Sequence, residues 1–138
     1  MLKQLSIFTE NTKGAMHKLI QILGDNGINV LASVTNDSAE FGIVRMVVDD
    51  PGKAAGLLDE NDYLCKLTDL IGVEIEDSPG SLAELLTVIN RININVNYLY
   101  STINRMTGLP VILLNTEDIP EVENALSAKG FTIVTSLA

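Results

Sequence analysis

Hydrophobic and polar positions change period in the same order twice along the chain. Residues 3–9 alternate, with Leu5, Ile7 and Thr9 on one side, which predicts a strand. A polar turn at 10–13 follows, then Ala15, Met16, Leu19, Ile20 and Leu23 fall at helical spacing and predict a helix with that stripe in the core. Asp25-Asn26-Gly27 ends it, since glycine takes the left-handed conformation that closes a helix. Residues 28–35 alternate again, with Ile28, Val30, Ala32 and Val34 on one face. A turn at Asn36-Asp37-Ser38 leads into a β-rich run at 41–48. Asp50-Pro51 opens a second helix, and a last strand is expected near 62–67.

The second half repeats this order. It predicts a strand at 70–76, a helix over 79–91 carrying Leu82, Leu85, Leu86 and Ile89, strands near 94–102 and 109–115, a helix near 118–128 and a strand near 131–136. Pro110 cannot donate to a sheet ladder, so it is expected to weaken its strand or place it at an edge. Tyr98 and Tyr100 are placed on the face of Ile94 and Val96, packing into the core. The segment 63–76 has the composition of nearly continuous β structure.

The two halves also match residue by residue. Gly14 falls on Gly80, Leu19 on Leu85, Ile28-Asn29-Val30 on Ile94-Asn95-Val96 and Gly42 on Gly108, all at an offset of 66. The register then shifts by about two, so that Tyr63 falls on Phe131. Two domains are therefore expected, at 1–68 and 69–138. Each has the order β-α-β-β-α-β. The predicted class is α+β: two ferredoxin-like units, with antiparallel sheets and helices on one face, set side by side.

That fold serves many functions, so the side chains must discriminate. The chain has 138 residues, nine Lys and Arg against eighteen Asp and Glu, and a net charge of −9. Nucleic-acid binding needs a basic patch to displace counterions, and none is present in the sequence. The third-strand segments Ile43-Val44-Arg45-Met46-Val47 and Val111-Ile112-Leu113-Leu114 carry no aromatics for stacking bases. Cys65 is the only cysteine, so neither an internal disulfide nor a CxxC metal site is available, and no metal or cofactor is expected. His17, the only histidine, lies near a helix start with no cysteine nearby. Glu76 and Asp77 are adjacent and therefore poorly arranged for shared acid–base work, so no catalytic residue is assigned and no enzyme is expected. No apolar run reaches the roughly 20 residues that span a bilayer, and the N-terminus lacks the pattern of a secretory signal. A cytoplasmic protein is expected.

What remains is the loop before the first helix of each half. Asp77-Ser78-Pro79-Gly80-Ser81-Leu82 follows a strand and opens a helix, and Asn93-Ile94-Asn95-Val96 opens the next strand. The first half has Asn11-Thr12-Lys13-Gly14-Ala15-Met16 and Gly27-Ile28-Asn29-Val30. This order resembles the ACT-domain family, whose pattern is Asp-x-Pro-Gly-x-Leu, a helix, and then Gly-hydrophobic-Asn-hydrophobic. Asp77, Pro79, Gly80, Leu82 and Asn95 match it in the second copy, with Asn93 in place of the Gly. Gly14, Gly27 and Asn29 match in the first, with Asn11 for the Asp and Lys13 for the Pro. Over nearly its whole length the chain is similar to free-standing tandem ACT proteins without an attached enzyme.

The resemblance implies binding of a free amino acid where ACT domains meet. Its carboxylate would meet the helix N–H groups at Gly14-Ala15-Met16 or Gly80-Ser81-Leu82. Its ammonium would meet Asp77 or Asn11, and Asn29 and Asn95 would complete a site from the neighbouring domain. A homodimer and a partner enzyme of amino-acid metabolism are implied as well. The same residues have plainer readings. Asp77 and Ser78, or Asn11 and Thr12, suit side-chain caps of their helices; the glycines suit tight turns; the asparagines suit exposed strand positions. A ligand-free assembly module is the alternative function.

Overall fold

The computed structural model describes residues 1–37 and 41–138, so the turn expected at 36–38 extends beyond the described residues. The elements run β1 (Leu2–Glu10), α1 (Ala15–Asp25), β2 (Val30–Asp37), β3 (Phe41–Val48), α2 (Pro51–Glu60), β4 (Leu64–Glu74), α3 (Ser81–Arg91), β5 (Val96–Ile103), β6 (Pro110–Thr116), α4 (Ile119–Ala128) and β7 (Thr132–Val134). They form two compact units, Lys3–Thr68 and Asp69–Ala138, the second joined by Met1–Leu2. The strands expected near 62–67 and 70–76 are one eleven-residue strand, β4, whose first half belongs to the first unit and second half to the second. Both units have the ferredoxin-like arrangement with antiparallel pairing.

In the first unit β3 lies between β2 and β1, with Leu5 opposite Met46 and Ser33 opposite Met46 on the other side. The start of β4 lies beside β1, where Gln4 Nε2 donates to Thr68 Oγ1 at 3.1 Å. Alternation on these strands turns Leu5, Ile7, Val44 and Met46 inward against Leu19 and Leu23 of α1 and Ala54 and Leu58 of α2. In the second unit the order is β7-β4-β6-β5. Ile71, Val73, Ile112 and Leu114 face Leu85, Val88 and Ile89 of α3 and Val122 and Leu126 of α4.

Three expectations are corrected. Pro110 is not on an edge strand: β6 is flanked by β4 and β5. Pro110 is the first residue of β6, where its missing N–H breaks no ladder, and its carbonyl accepts from Ile75 N at 3.0 Å. Tyr98 and Tyr100 do not share a face with Val96. A register shift between Val96 and Tyr98 turns Leu99 to the helices and leaves both tyrosines out of that cluster, although Tyr100 is still buried, as expected. The first unit has the same shift between Val30 and Ala32, at the repeat offset. Finally, Met16 and Ile20 are not core residues: they are 37 % and 38 % exposed, while Leu19 and Leu23 are fully buried. Residues four apart stack on one helix face, and α1 buries the 19–23 column while the 16–20 column lies on its flank.

Candidate functional site

The loop-to-helix junctions are built alike in both units. α1 and α3 each start from a glycine in the left-handed region, Gly14 with φ 84° and Gly80 with φ 89°. An L-residue takes that conformation only with strain. A Cβ built on either glycine meets no atom within 4 Å, so the backbone angle, not crowding, favours glycine, and the space above it is open. Neither helix has a side-chain cap. The glycine at each helix start has no side chain to cap with, and Asp77 stands exposed in the loop before α3. Ser78 Oγ lies 2.8 Å from Ser81 Oγ, and Ser81 N donates to the Ser78 carbonyl at 3.2 Å. The other two helices differ. Asp50 accepts from Lys53 N at 3.1 Å and caps α2, and Asp118 accepts from Glu121 N at 3.3 Å and caps α4.

The N–H groups of Leu82 and Ala83, like those of Met16 and His17, lie ahead of the first intrahelical acceptor, since the first such bonds run from Glu84 to Gly80 and from Lys18 to Gly14. The start of each helix thus presents backbone donors and the positive end of the helix dipole, a setting for a carboxylate.

In the second unit this junction forms one wall of an open groove of about 730 Å³. Asp77, Gly80, Ser81 and Leu82, all singled out from the sequence, lie along it, with Leu86 from α3, Ser101, Thr102 and Ile103 from the end of β5, and Pro110 and Ile112 from β6. Pro79 is exposed in the same loop but does not line the groove. Asn95 stands just before the other end of β5, roughly 25 Å from Ile103 at the rise of an extended strand. Its Nδ2 donates to Asn97 Oδ1 at 3.2 Å, and Asn97 Nδ2 donates to Asn115 Oδ1 at 2.9 Å. Within its own unit, then, Asn95 does not meet the Asp77–Leu82 segment.

In the first unit Gly14 and Ala15 line a depression of about 470 Å³ with Phe8, Lys13, Lys18 and Tyr63, whereas Asn11 and Met16 are exposed and do not line it. Asn29 N donates to Asp49 Oδ1 at 3.0 Å and its carbonyl accepts from Asp49 N at 3.1 Å, which fixes its backbone and leaves the residue exposed. The second unit has the corresponding depression, about 370 Å³, with Glu74, Ser81, Glu84 and Phe131 at the places of Phe8, Ala15, Lys18 and Tyr63. The two copies share backbone geometry and differ in charge.

The far wall of the groove was not found from the sequence. Ser101, Thr102 and Ile103 precede a hairpin whose Asn104 Nδ2 and Thr107 Oγ1 donate to Glu74 Oε2 at 2.9 and 3.1 Å. The Asn104 N–H also donates to the Leu109 carbonyl at 2.9 Å, and Gly108 has φ 74°. The spacing of Asn104 and Gly108 was the available signal for this tight turn. Among the described residues no group of three or more His, Cys, Asp or Glu is placed to hold a metal ion. No helix among them is long and apolar enough to cross a membrane.

A family model described as an ACT domain pair matches residues 1–133. Among solved structures, protein BT0572 from Bacteroides thetaiotaomicron superposes with a TM-score of 0.89 at 29 % identity, over 96 % of this chain and 91 % of that one. The ligand-free regulatory subunit of aspartate kinase from Thermus thermophilus superposes with a TM-score of 0.66 at 14 % identity, covering 91 % of each chain, and so shares the fold. An arginine repressor from Pelodictyon phaeoclathratiforme is 36 % identical over 75 residues, 54 % of this chain and 49 % of that protein. The chain thus spans about half the length of this curated relative.

Proposed function

The chain belongs to the ACT domain pair family, and on that premise we propose that it is a regulatory sensor that binds a free amino acid at a glycine-led helix start. The observation that carries the proposal is the contrast between helices. α2 and α4 are capped by their own aspartates, while α1 and α3 begin at left-handed glycines with open space above and no side-chain cap. In the second unit the ligand's carboxylate accepts from the N–H groups of Leu82 and Ala83, and Asp77 accepts from its ammonium. Asn95, and Asn29 in the first unit, serve the junction of an ACT domain in another copy of the chain, so the working form is a homodimer. The regulated partner is an enzyme of amino-acid metabolism, and the ligand acts by binding one state of the assembly better than another.

Thermal unfolding of the full chain against each of the twenty amino acids tests this. A ligand at 100 times its Kd adds about 2.7 kcal/mol of stability and raises Tm by several degrees. If no amino acid moves Tm at millimolar concentration and calorimetry finds no heat of binding, the sensor reading is wrong and a ligand-free assembly module replaces it.

A further inference from the structure

We propose that the groove beside Gly80 selects amino acids with apolar side chains, and that Leu82, Leu86 and Ile103 are the residues that make the choice. This rests on the sensor reading and names the class of ligand it takes. Every residue concerned belongs to the second unit.

The first ground is exposure. Leu82 is 36 % and Ile103 53 % exposed, and Leu86 is half-buried, although Leu85 and Ile89 on the same helix are fully buried or nearly so. Leu82 thus lies off the core, Leu86 packs against its margin, and both line the groove. Met16, the counterpart of Leu82 in the first unit, is exposed to the same degree. An apolar side chain two residues after the left-handed glycine, outside the core in both copies, stands where a molecule anchored at the helix start would project its side chain.

The second ground is charge. The groove is lined by Glu76 and Asp77 but by no Lys, Arg or His. The open helix N–H groups are matched to one carboxylate, the one every amino acid has. An acidic side chain would find no second positive partner and would lie near two carboxylates. The third ground is surface character: from Leu82 the wall continues through Ala83 and Leu86 and across to Ile103, Pro110 and Ile112. At about 730 Å³ the groove admits a side chain of any natural size, so the chemistry of the wall, rather than room, decides.

The test is calorimetry on the full chain with alanine, 2-aminobutyrate, norvaline, leucine and phenylalanine, beside serine, aspartate and arginine. Burial of one methylene contributes about 0.8 kcal/mol, so affinity should rise about fourfold at each step from alanine to norvaline. Leu82→Asn should flatten that series and lower the norvaline-to-alanine ratio at least about fourfold, because the last methylene then meets an amide. Leu82→Met should keep the ratio. Leu64→Asn, at a leucine 62 % exposed on β4 and outside the groove, should leave it unchanged. A flat series, or tightest binding by serine, aspartate or arginine, overturns the apolar selection and leaves the sensor reading standing. Binding of none of the panel overturns both.

Discussion

Replacing Gly80 separates two roles that one residue performs, holding the turn and keeping the space above it empty. Its φ of 89° lies where an L-residue costs about 1–2 kcal/mol, and a built Cβ meets nothing within 4 Å, so Gly80→Ala has no steric penalty beyond the backbone strain. The expected loss is therefore about 1 kcal/mol, which for a chain of this length lowers Tm by roughly 3–5 °C. Gly14, with φ 84° and the same open surroundings, should show the same loss. Gly80→Asn should recover most of the stability, because Asn tolerates the left-handed region, yet its amide occupies the space before the helix N–H groups. Thermal unfolding with and without the tightest-binding amino acid distinguishes the effects. Gly80→Ala should lower the baseline, and Gly80→Asn should restore the baseline but lose the ligand-induced rise. A Gly80→Asn protein that keeps the full rise would refute the placement of the carboxylate. A Gly80→Ala protein more stable than the parent would refute the strain argument.

Other outcomes follow from packing and capping. Gly72 pairs with Leu113 and Val134 in the second unit, and a Cβ there would lie 2.7 Å from Leu2 Cδ1 and 3.2 Å from the Val134 carbonyl oxygen. Gly72→Ala should cost about 1–3 kcal/mol in urea unfolding, and less in a Leu2→Ala background; strictly additive losses would contradict the contact. Asp50→Ala should cost about 1 kcal/mol by removing the cap of α2, while Asp77→Ala, which caps nothing, should cost less than about 0.5 kcal/mol and yet lose the amino-acid response. Burial pushes the Cys65 thiol above its ordinary value, so iodoacetamide should modify it more slowly in the folded chain than in urea; equal rates would count against that burial. The sign of the linkage follows: the fold favours the protonated thiol, so stability should decline as pH rises past about 9.

Much of the fold was legible because its signals are local. Alternation, helical spacing and glycine punctuation place the helices and most strands to within a few residues, and the repeat at offset 66 supports the first helix and the strands after it with a second copy. The errors share a cause. Pro110 cannot donate, but a proline at the first position of a central strand breaks nothing, and strand position is a property of the sheet. The tyrosines were placed by counting in twos from Val96, and one extra residue at the bulge reversed the count. Met16 and Ile20 are apolar at the right spacing, but a helix on a small unit has only so much core to face, and which column wins depends on the sheet beneath it.

For the site, the acidic composition argues against nucleic acid and the resemblance draws attention to the loops, yet the wall of the groove comes from β5 and its hairpin, and no spacing rule links Ile103 to Leu82. Both copies retain the left-handed glycine, the absent cap, the exposed apolar side chain two residues later and the bulge after the asparagine. They part company in side chains, with Lys13 against Pro79, His17 against Ala83 and Lys18 against Glu84. What is common is backbone, and backbone N–H groups recognise what all amino acids share. What differs is chemistry that can tell one amino acid from another. α2 and α4 start instead from aspartates that cap them, Asp118 of α4 doing so from the left-handed region itself, so a helix start in this chain does not need an uncapped glycine. The open form occurs twice, over differing side chains, and this is the arrangement that the proposed carboxylate site calls for.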